Sequence, residues 1–191
     1  MNAIPLDQIN SEWSLFLDRD GVINHDKDND YIRNADEFRM YEDTLAALTT
    51  LSKIFPRIVI VTNQKGVGRG LMTENDLQGI HQLLLSEVNR TGGRIDHIYY
   101  CTDLSNDSPN RKPNPGMAFK AKNEFPQIDF ANSLMVGNNQ SDLNFGRNAG
   151  MKTAFLRTTQ PDIELPEGLA DIEATDLHDL FGKLRSLWRD C

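Results

Sequence analysis

The chain has 191 residues and a formal net charge of −8 at pH 7, and 39% of its residues are hydrophobic and 25% charged. These values are typical of one globular domain, so we expect a single domain over residues 1–191. The acidic balance argues against nucleic-acid binding, because phosphate affinity depends on clustered Lys and Arg. No apolar run approaches a membrane span, residues 1–12 lack the features of a secretory signal, and two cysteines form no disulfide framework. We expect a cytoplasmic protein without a membrane partner, and a monomer.

Apolar runs that match strands alternate along the chain with segments of helical periodicity. The predicted strands are Ser14–Leu17, Ile58–Val61, Ile95–Tyr100, Leu134–Val136 and Thr153–Leu156. The predicted helices lie within Tyr41–Lys53, from Thr73 to Gly92, from Asn114 onward, from Ser141 to Ala149, and over Asp176–Trp188. This alternation predicts an α/β fold with a doubly wound, mostly parallel sheet. No segment is long enough for a separate cap domain, so the ligand-binding edge should be open.

The most informative segment is Leu15–Asn24, in which an apolar run ends in Asp18 and Asp20. In open α/β sheets, ligands bind at the carboxyl ends of the strands. Two carboxylates at such an edge repel each other, and a cation or an anion-transfer reaction offsets that repulsion. Asp18 suits a nucleophile, Asp20 suits a proton donor and acceptor, and a hard metal ion suits the space between them. Taken alone, the same segment is equally compatible with a strand followed by a polar turn.

A second group of polar residues, Thr62, Asn63 and Gln64, follows the next strand and precedes the glycine-rich run Lys65–Gly70. The Thr62 hydroxyl can donate to a phosphoryl oxygen, and the glycines allow backbone amides to approach an anion. By itself this pattern is more typical of an ordinary glycine-rich turn.

Two later segments carry charges and amides at helix starts. Arg111 and Lys112 precede the helix near Asn114, where Lys112 would hold a phosphate and Arg111 could grip the substrate in a fork. After the fourth strand, Asn138 can offer an amide oxygen to a metal, and Asp142 can offer a charge or hold the ligands in place. The simpler interpretations are a solvated charged loop and a helix N-cap cluster.

The order of these signals is more specific than any one of them. Along the chain come a nucleophilic Asp, a hydroxyl, a Lys and a metal-binding loop, each at the end of a strand. This order resembles the haloacid dehalogenase (HAD) superfamily of phosphatases over roughly residues 14–157. The segments LDRDGVIN, VTNQKGVGRG, RKPNPGM and GRNAGMKTAFL are similar to the capless subgroup of heptose-bisphosphate and histidinol-phosphate phosphatases.

The resemblance implies a Mg²⁺-dependent phosphomonoester hydrolase that acts through an aspartyl-phosphate on a small phosphorylated metabolite. It implies that Asp18 is the nucleophile and that Asp20 is the acid and base. The implied phosphate-binding residues are Thr62, Asn63 and Lys112; the substrate-binding residues are Gln64, Arg69 and Arg111; the metal-binding residues are Asp18, Asp20, Asn138 and Asp142. Arg69 and Arg111 could serve a second anionic group, which favours a heptose bisphosphate over histidinol phosphate.

Two departures from the family pattern qualify this expectation. Asn138 stands where the family usually has aspartate, so we expect weaker Mg²⁺ binding rather than a lost site. A catalytically weakened phosphosugar-binding or regulatory protein therefore remains an alternative. Related enzymes often carry a four-ligand zinc site before the Arg-Lys pair, of which only Cys101 remains here, so we expect no zinc. A signalling receiver domain is a third alternative, although the spacing of Asp18 and Asp20 fits phosphatases better.

Overall fold

The computed structural model describes residues 9, 12–27 and 30–186, and its centre is one sheet of six parallel strands. The strands are β1 (Ser14–Leu17), β2 (Arg57–Asn63), β3 (His97–Cys101), β4 (Ser133–Gly137), β5 (Lys152–Leu156) and β6 (Ile172–Ala174). The helices are α1 (Thr44–Ile54), α2 (Lys65–Gly68), α3 (Glu74–Arg90), α4 (Gly116–Glu124), α5 (Gln140–Ala149) and α6 (Leu177–Ser186).

The strand order is β3-β2-β1-β4-β5-β6, so the direction of winding reverses between β1 and β4. Alternate strand residues point to opposite faces of the sheet. Leu15 and Leu17 of β1 therefore join a core with α1, α3 and α6, whereas Phe16 joins a second core with α4 and α5. Helices cover both faces, which confirms the doubly wound α/β prediction.

Capping residues fix the start of one helix and the end of another in the way that the sequence indicates. The Thr73 hydroxyl accepts from the Asp76 N–H while the Asp76 carboxylate accepts from the Thr73 N–H, which is a capping box at the start of α3. Helix α5 ends at Gly150, whose φ of 88° is the left-handed conformation that glycine adopts without a steric penalty.

The structure contains two elements that the sequence analysis does not predict. The run Lys65–Gly70, interpreted as a turn, begins with the short helix α2. It packs closely on its surroundings, because a Cβ on Gly68 would lie 2.1 Å from the Thr102 carbonyl oxygen. The strand β6 has only three residues, too few for a periodic pattern to reveal it. The third strand starts at His97, two residues after its predicted start at Ile95. Residues 187 and 188 of the predicted last helix lie outside the described residues.

The carboxyl ends of the strands are not covered by a separate cap in the described part of the chain. Between β1 and α1, the described residues form turns and two isolated bridges, Asp20 to Asn24 and Asn24 to Met40. Every helix within the described residues is too short or too polar to cross a bilayer.

Candidate active site

The strand-end residues meet where the winding of the sheet reverses. The Asp18 backbone N–H donates to the Val136 carbonyl oxygen at 2.9 Å, so β1 and β4 remain paired one residue beyond β1. Crevices at such reversals are where open α/β sheets bind ligands. A cavity of about 240 Å³ lies at this edge. It is lined by nine of the ten predicted site residues: Asp18, Asp20, Thr62, Asn63, Gln64, Arg111, Lys112, Asn138 and Asp142.

Lys112 lies between two buried carboxylates. Its Nζ is 2.8 Å from Asp18 Oδ1 and 2.7 Å from Asp142 Oδ1, and all three residues are at most 9% exposed. Burial and the Asp142 charge raise the pKa of Asp18 to about 7, although Lys112 opposes this shift. Burial alone would lower the pKa of Lys112, but the two carboxylates raise it above its ordinary value, so the ammonium stays charged.

Asp142 is committed to structural contacts through both of its oxygens. Oδ1 meets Lys112, and Oδ2 accepts from the Asn139 N–H at 3.0 Å at the start of α5. Gly137 makes this close packing possible, since a Cβ there would lie 2.1 Å from the Asp142 Cβ. Asp142 therefore belongs to the predicted N-cap cluster and is also the predicted charged residue of the site.

Asp20 lies in a network of donors centred on Arg19, which is fully buried. Arg19 Nη2 donates to both Asp20 oxygens, at 2.8 and 2.9 Å, and Asn24 Nδ2 and Gln64 Nε2 donate at 2.9 and 2.8 Å. Burial tends to raise the pKa of Asp20, but the Arg19 charge and these hydrogen bonds hold it below its ordinary value. Burial and Arg19 lower the pKa of His81 to about 3, so His81 is neutral, and its Nε2 lies 3.3 Å from Arg19 Nη1.

The end of β2 is tied to the loop that carries Lys112. Asn63 Nδ2 donates to the Lys112 carbonyl oxygen at 3.1 Å, and the Lys112 N–H donates to Asn63 Oδ1 at 3.0 Å. Thr62, which is 1% exposed, accepts from Gln64 Nε2 at 2.9 Å. The side chain of Asn63 thus positions Lys112, while the Thr62 hydroxyl proton remains available for an incoming anion.

A basic group of Lys65, Arg69 and Arg111 is formed by α2 and by the loops that follow α2 and β3. Arg111 lines the cavity, whereas Arg69 does not; its guanidinium lies over Tyr31, 5.6 Å from the centre of a ring that lines the cavity. Burial and the charges of Arg111 and Arg69 lower the pKa of Lys65, so these three cations are close neighbours. Within the described residues, none of the three forms an ion pair with a carboxylate.

Asn138 presents an amide oxygen to the cavity. The residue is 4% exposed, its Nδ2 donates to Thr159 Oγ1 at 2.7 Å, and its Oδ1 has no hydrogen-bond partner among the described residues. A buried oxygen without a donor, in the same cavity as the Asp18 carboxylate, fits a hard divalent cation, because Mg²⁺ is often bound through one or two carboxylates.

Cys101, the one remaining residue of the zinc-site pattern considered in the sequence analysis, is buried at the end of β3. Cys101 Sγ lies 3.6 Å from Asp103 Oδ2 and 3.9 Å from Ser108 Oγ. No three His, Cys, Asp or Glu side chains in the described part of the chain are arranged to hold a metal ion. The strand ends instead offer two carboxylates together with an amide oxygen.

Three residues that the sequence reasoning did not assign take part in the site, and a fourth joins them from a distant loop. Arg19 lies between the two aspartates of the motif, and Asn24 ends it, so position in the motif is a signal that could have identified both. His81 lies on α3, predicted only as a helix residue, and reaches Arg19 from there. Thr159 lies in the loop after β5, and nothing in the sequence links it to the site.

Comparisons with known proteins identify the family of this chain. Residues 109–180 match the family model described as HAD-hydrolase-like. The chain is 34% identical over 176 residues to the D-glycero-beta-D-manno-heptose-1,7-bisphosphate 7-phosphatase of Vibrio cholerae, covering 87% of this chain and 93% of that protein. It is 36% identical over 161 residues to the D-glycero-alpha-D-manno-heptose-1,7-bisphosphate 7-phosphatase of Mycobacterium tuberculosis, covering 84% and 85%.

The fold is similar to that of the D,D-heptose 1,7-bisphosphate phosphatase from B. bronchiseptica, solved with magnesium and phosphate. The TM-score is 0.79 at 30% identity, and the match covers 91% of this chain and 98% of that chain. The chain belongs to the HAD superfamily of hydrolases, and within it to the group of phosphatases that these relatives represent. Its predicted class, a HAD-type phosphatase, is confirmed.

Proposed function

We propose that this phosphatase hydrolyses a heptose 1,7-bisphosphate to a heptose monophosphate and inorganic phosphate, through an aspartyl-phosphate on Asp18. The observation that carries the proposal is the placement of the Asp18 carboxylate beside Lys112 Nζ, 2.8 Å away, in a cavity that also contains Asp20. The substrate is inferred from the relatives, whose names include both the alpha and the beta anomer.

In the first half of the reaction, an Asp18 oxygen attacks phosphorus and the bond from phosphorus to the sugar oxygen breaks. The leaving oxygen takes a proton from Asp20. Because Arg19 and the neighbouring donors hold the pKa of Asp20 low, Asp20 takes up this proton only when the negatively charged substrate binds beside it and raises that pKa. In the second half, Asp20 removes a proton from a water molecule that attacks phosphorus, which releases phosphate and restores Asp18. Lys112 and Thr62 bind the oxygens of the transferring group, because phosphoryl transfer requires positioning and neutralisation of spread charge.

Three oxygens of this chain would hold Mg²⁺: the Asp18 carboxylate, the Asp20 backbone carbonyl and Asn138 Oδ1. When bound, the ion supplies positive charge that neutralises the transferring phosphoryl group and favours ionised Asp18. We assign Asp142 to a supporting role, because its two oxygens already serve Lys112 and the start of α5. No zinc is needed in this scheme, since one cysteine cannot close a tetrahedral site.

The second phosphate of the substrate would bind near Arg111. Arg111 lines the cavity, and its own hydrogen bonds, from Nε to Asn106 Oδ1 at 3.3 Å and from Nη1 to the Asp103 carbonyl at 3.5 Å, are long. Within the described residues Arg111 forms no ion pair with a carboxylate, although the Asp103 charge acts on it, and Arg69 and Lys65 add to the local positive potential. A second phosphate satisfies these cations, whereas the amine of histidinol phosphate is repelled by them.

The test is a turnover assay with both anomers of heptose 1,7-bisphosphate, with histidinol phosphate and with a simple sugar monophosphate, each with and without Mg²⁺. We expect Mg²⁺-dependent release of one phosphate, fastest from a heptose bisphosphate. Faster turnover of histidinol phosphate would contradict the substrate assignment.

A weakened, phosphosugar-binding protein is the second candidate, and Asn138 is the observation that favours it. Such a protein would bind heptose bisphosphate in calorimetry yet release no phosphate with saturating Mg²⁺.

Location in the cytoplasm and a monomeric state are also proposals, which fractionation and light scattering can check.

A further inference from the structure

Asparagine at position 138 raises a problem that aspartate does not. A carboxylate has two equivalent oxygens, so either end can bind a cation. An amide has one oxygen and one NH₂ group, and only the oxygen is a ligand for a hard ion. A metal site built on Asn138 therefore needs a group that fixes which end of the amide faces the metal.

Thr159 is in the position to do this. Its Oγ1 accepts from Asn138 Nδ2 at 2.7 Å, on the side away from the orphaned Oδ1. The Asn138 side chain is almost fully buried, at 4% exposed, so few other partners are available to the NH₂ group.

The loop that carries Thr159 is itself anchored by the two residues that precede Thr159. The Arg157 N–H donates to the Ala174 carbonyl at 2.9 Å, which extends the pairing of β5 with β6. The Thr158 hydroxyl donates to the Gly21 carbonyl oxygen in the loop after β1. Gly21 has a φ of 83°, and a Cβ there would lie 2.1 Å from Asn138 Nδ2, so the three loops meet in close contact.

We propose that Thr159 is a positioning residue that turns the oxygen of Asn138 toward the divalent cation. The inference rests on the proposed function, since it needs the metal site. When the cation binds Oδ1, Nδ2 must face Thr159, and the hydroxyl satisfies it. Without the hydroxyl, the buried NH₂ group of Asn138 has no acceptor when the cation is bound. In the metal-free protein the amide can rotate, so the loss weakens cation binding.

The experiment measures Mg²⁺ binding by calorimetry on the full chain after chelation, so that no turnover is required. Thr159→Val and Thr159→Ala remove the acceptor, and Thr159→Ser, the matched control, retains it. The same valine substitution is then made in an Asn138→Asp background. Scanning calorimetry of each variant verifies that it is folded.

We expect Thr159→Val and Thr159→Ala to raise the Mg²⁺ dissociation constant about tenfold. Thr159→Ser should change it by less than about threefold. Thr159→Val should also have less than about a threefold effect when it is added to Asn138→Asp, because either carboxylate oxygen can then bind. An equal loss in both backgrounds would mean that Thr159 only packs the loop, and no loss in either would also overturn the proposal.

Failure of the inference is distinguishable from failure of the proposed function. If the wild-type chain binds Mg²⁺ and hydrolyses its substrate while Thr159→Val binds Mg²⁺ equally well, only the role of Thr159 is lost. If the wild-type chain binds no Mg²⁺ at millimolar concentration, the metal site and the inference both fall.

Discussion

Two regions of the site differ in how firmly their side chains are held: the phosphoryl end, which contains Asp18 and Asp20, and the distal end, which contains Arg111 and, outside the cavity wall, Arg69. At the phosphoryl end, Asp18 and Asp20 follow a central strand and are fixed by buried cations, Lys112 and Arg19, at 2.8 Å. At the distal end, Arg69 is exposed and stacks on Tyr31, and Arg111 makes only long hydrogen bonds. The difference indicates that the sheet fixes the chemistry, whereas loops choose the substrate.

The largest effect should come from the phosphoryl end. Asp18→Asn removes the nucleophile and one metal ligand without changing side-chain volume, so turnover should fall by roughly 10⁴-fold or more while the fold is retained. Steady-state kinetics and circular dichroism of the purified, Mg²⁺-loaded variant measure this. Asp36→Asn, an exposed carboxamide control, should retain full activity. An Asp18→Asn enzyme that keeps substantial turnover is incompatible with covalent catalysis.

Changes at the distal end should affect binding rather than chemistry. Arg111→Gln should lower kcat/KM for the bisphosphate by about tenfold to a hundredfold, mostly through KM, because a charge-assisted contact is lost. Arg69→Gln, whose side chain lies outside the cavity wall, should cost less than about fivefold. A sugar monophosphate substrate is the control, since neither change should alter its kinetics. Equal losses with both substrates would place Arg111 in the phosphoryl end instead.

The metal ligand Asn138 offers a smaller, sharper test. Asn138→Asp adds a unit charge near the cation, an attraction of several kcal/mol at an effective dielectric of about 20 before desolvation and repulsion from Asp18 and Asp142 are subtracted. We expect a net gain of about 1–2 kcal/mol, which tightens Mg²⁺ roughly 5- to 30-fold. The half-saturating Mg²⁺ concentration for activity reports it. An unchanged value would exclude residue 138 as a ligand and favour Asp142.

The smallest effect concerns His81 and pH. The pKa of His81 in the folded protein is about 3, below the ordinary 6.5. As the pH falls through 6.5, His81 therefore takes up a proton in the unfolded chain but not in the folded chain. The wild type should therefore lose stability below pH 6.5, by about 1 kcal/mol between pH 7 and pH 5.5 from this residue. His81→Gln should flatten that part of the profile in urea denaturation. Parallel profiles for the two proteins would show that His81 is not held neutral.

The sequence is sufficient for those parts of the molecule that local patterns encode. The predicted boundaries of β1 are the observed ones, and parallel strands bring their carboxyl ends together, which explains why residues from four distant segments line one cavity. Local chemistry identifies the capping residue Thr73 and the stop at Gly150. The fold class follows from the alternation of such elements.

Other parts depend on packing that no local pattern contains. The short helix α2 forms where Gly68 fits against a carbonyl of another loop, and β6 is defined by its pairing with β5. The Thr159 contact crosses 21 positions, and the Arg19 contact to His81 crosses 62. Arg69, which follows α2, lies over Tyr31 and does not line the cavity itself, a contact that its place in the motif does not reveal.

The most direct test of the central claim is chemical trapping of the intermediate during turnover. Borohydride reduces an acyl phosphate to an alcohol, so an aspartyl-phosphate on residue 18 becomes homoserine, which peptide mass spectrometry can locate. We expect homoserine at position 18 in the wild-type enzyme quenched during turnover of heptose bisphosphate, and none without substrate. An active enzyme that gives no modification, or gives it at another carboxylate, would contradict the assignment of Asp18 as the nucleophile.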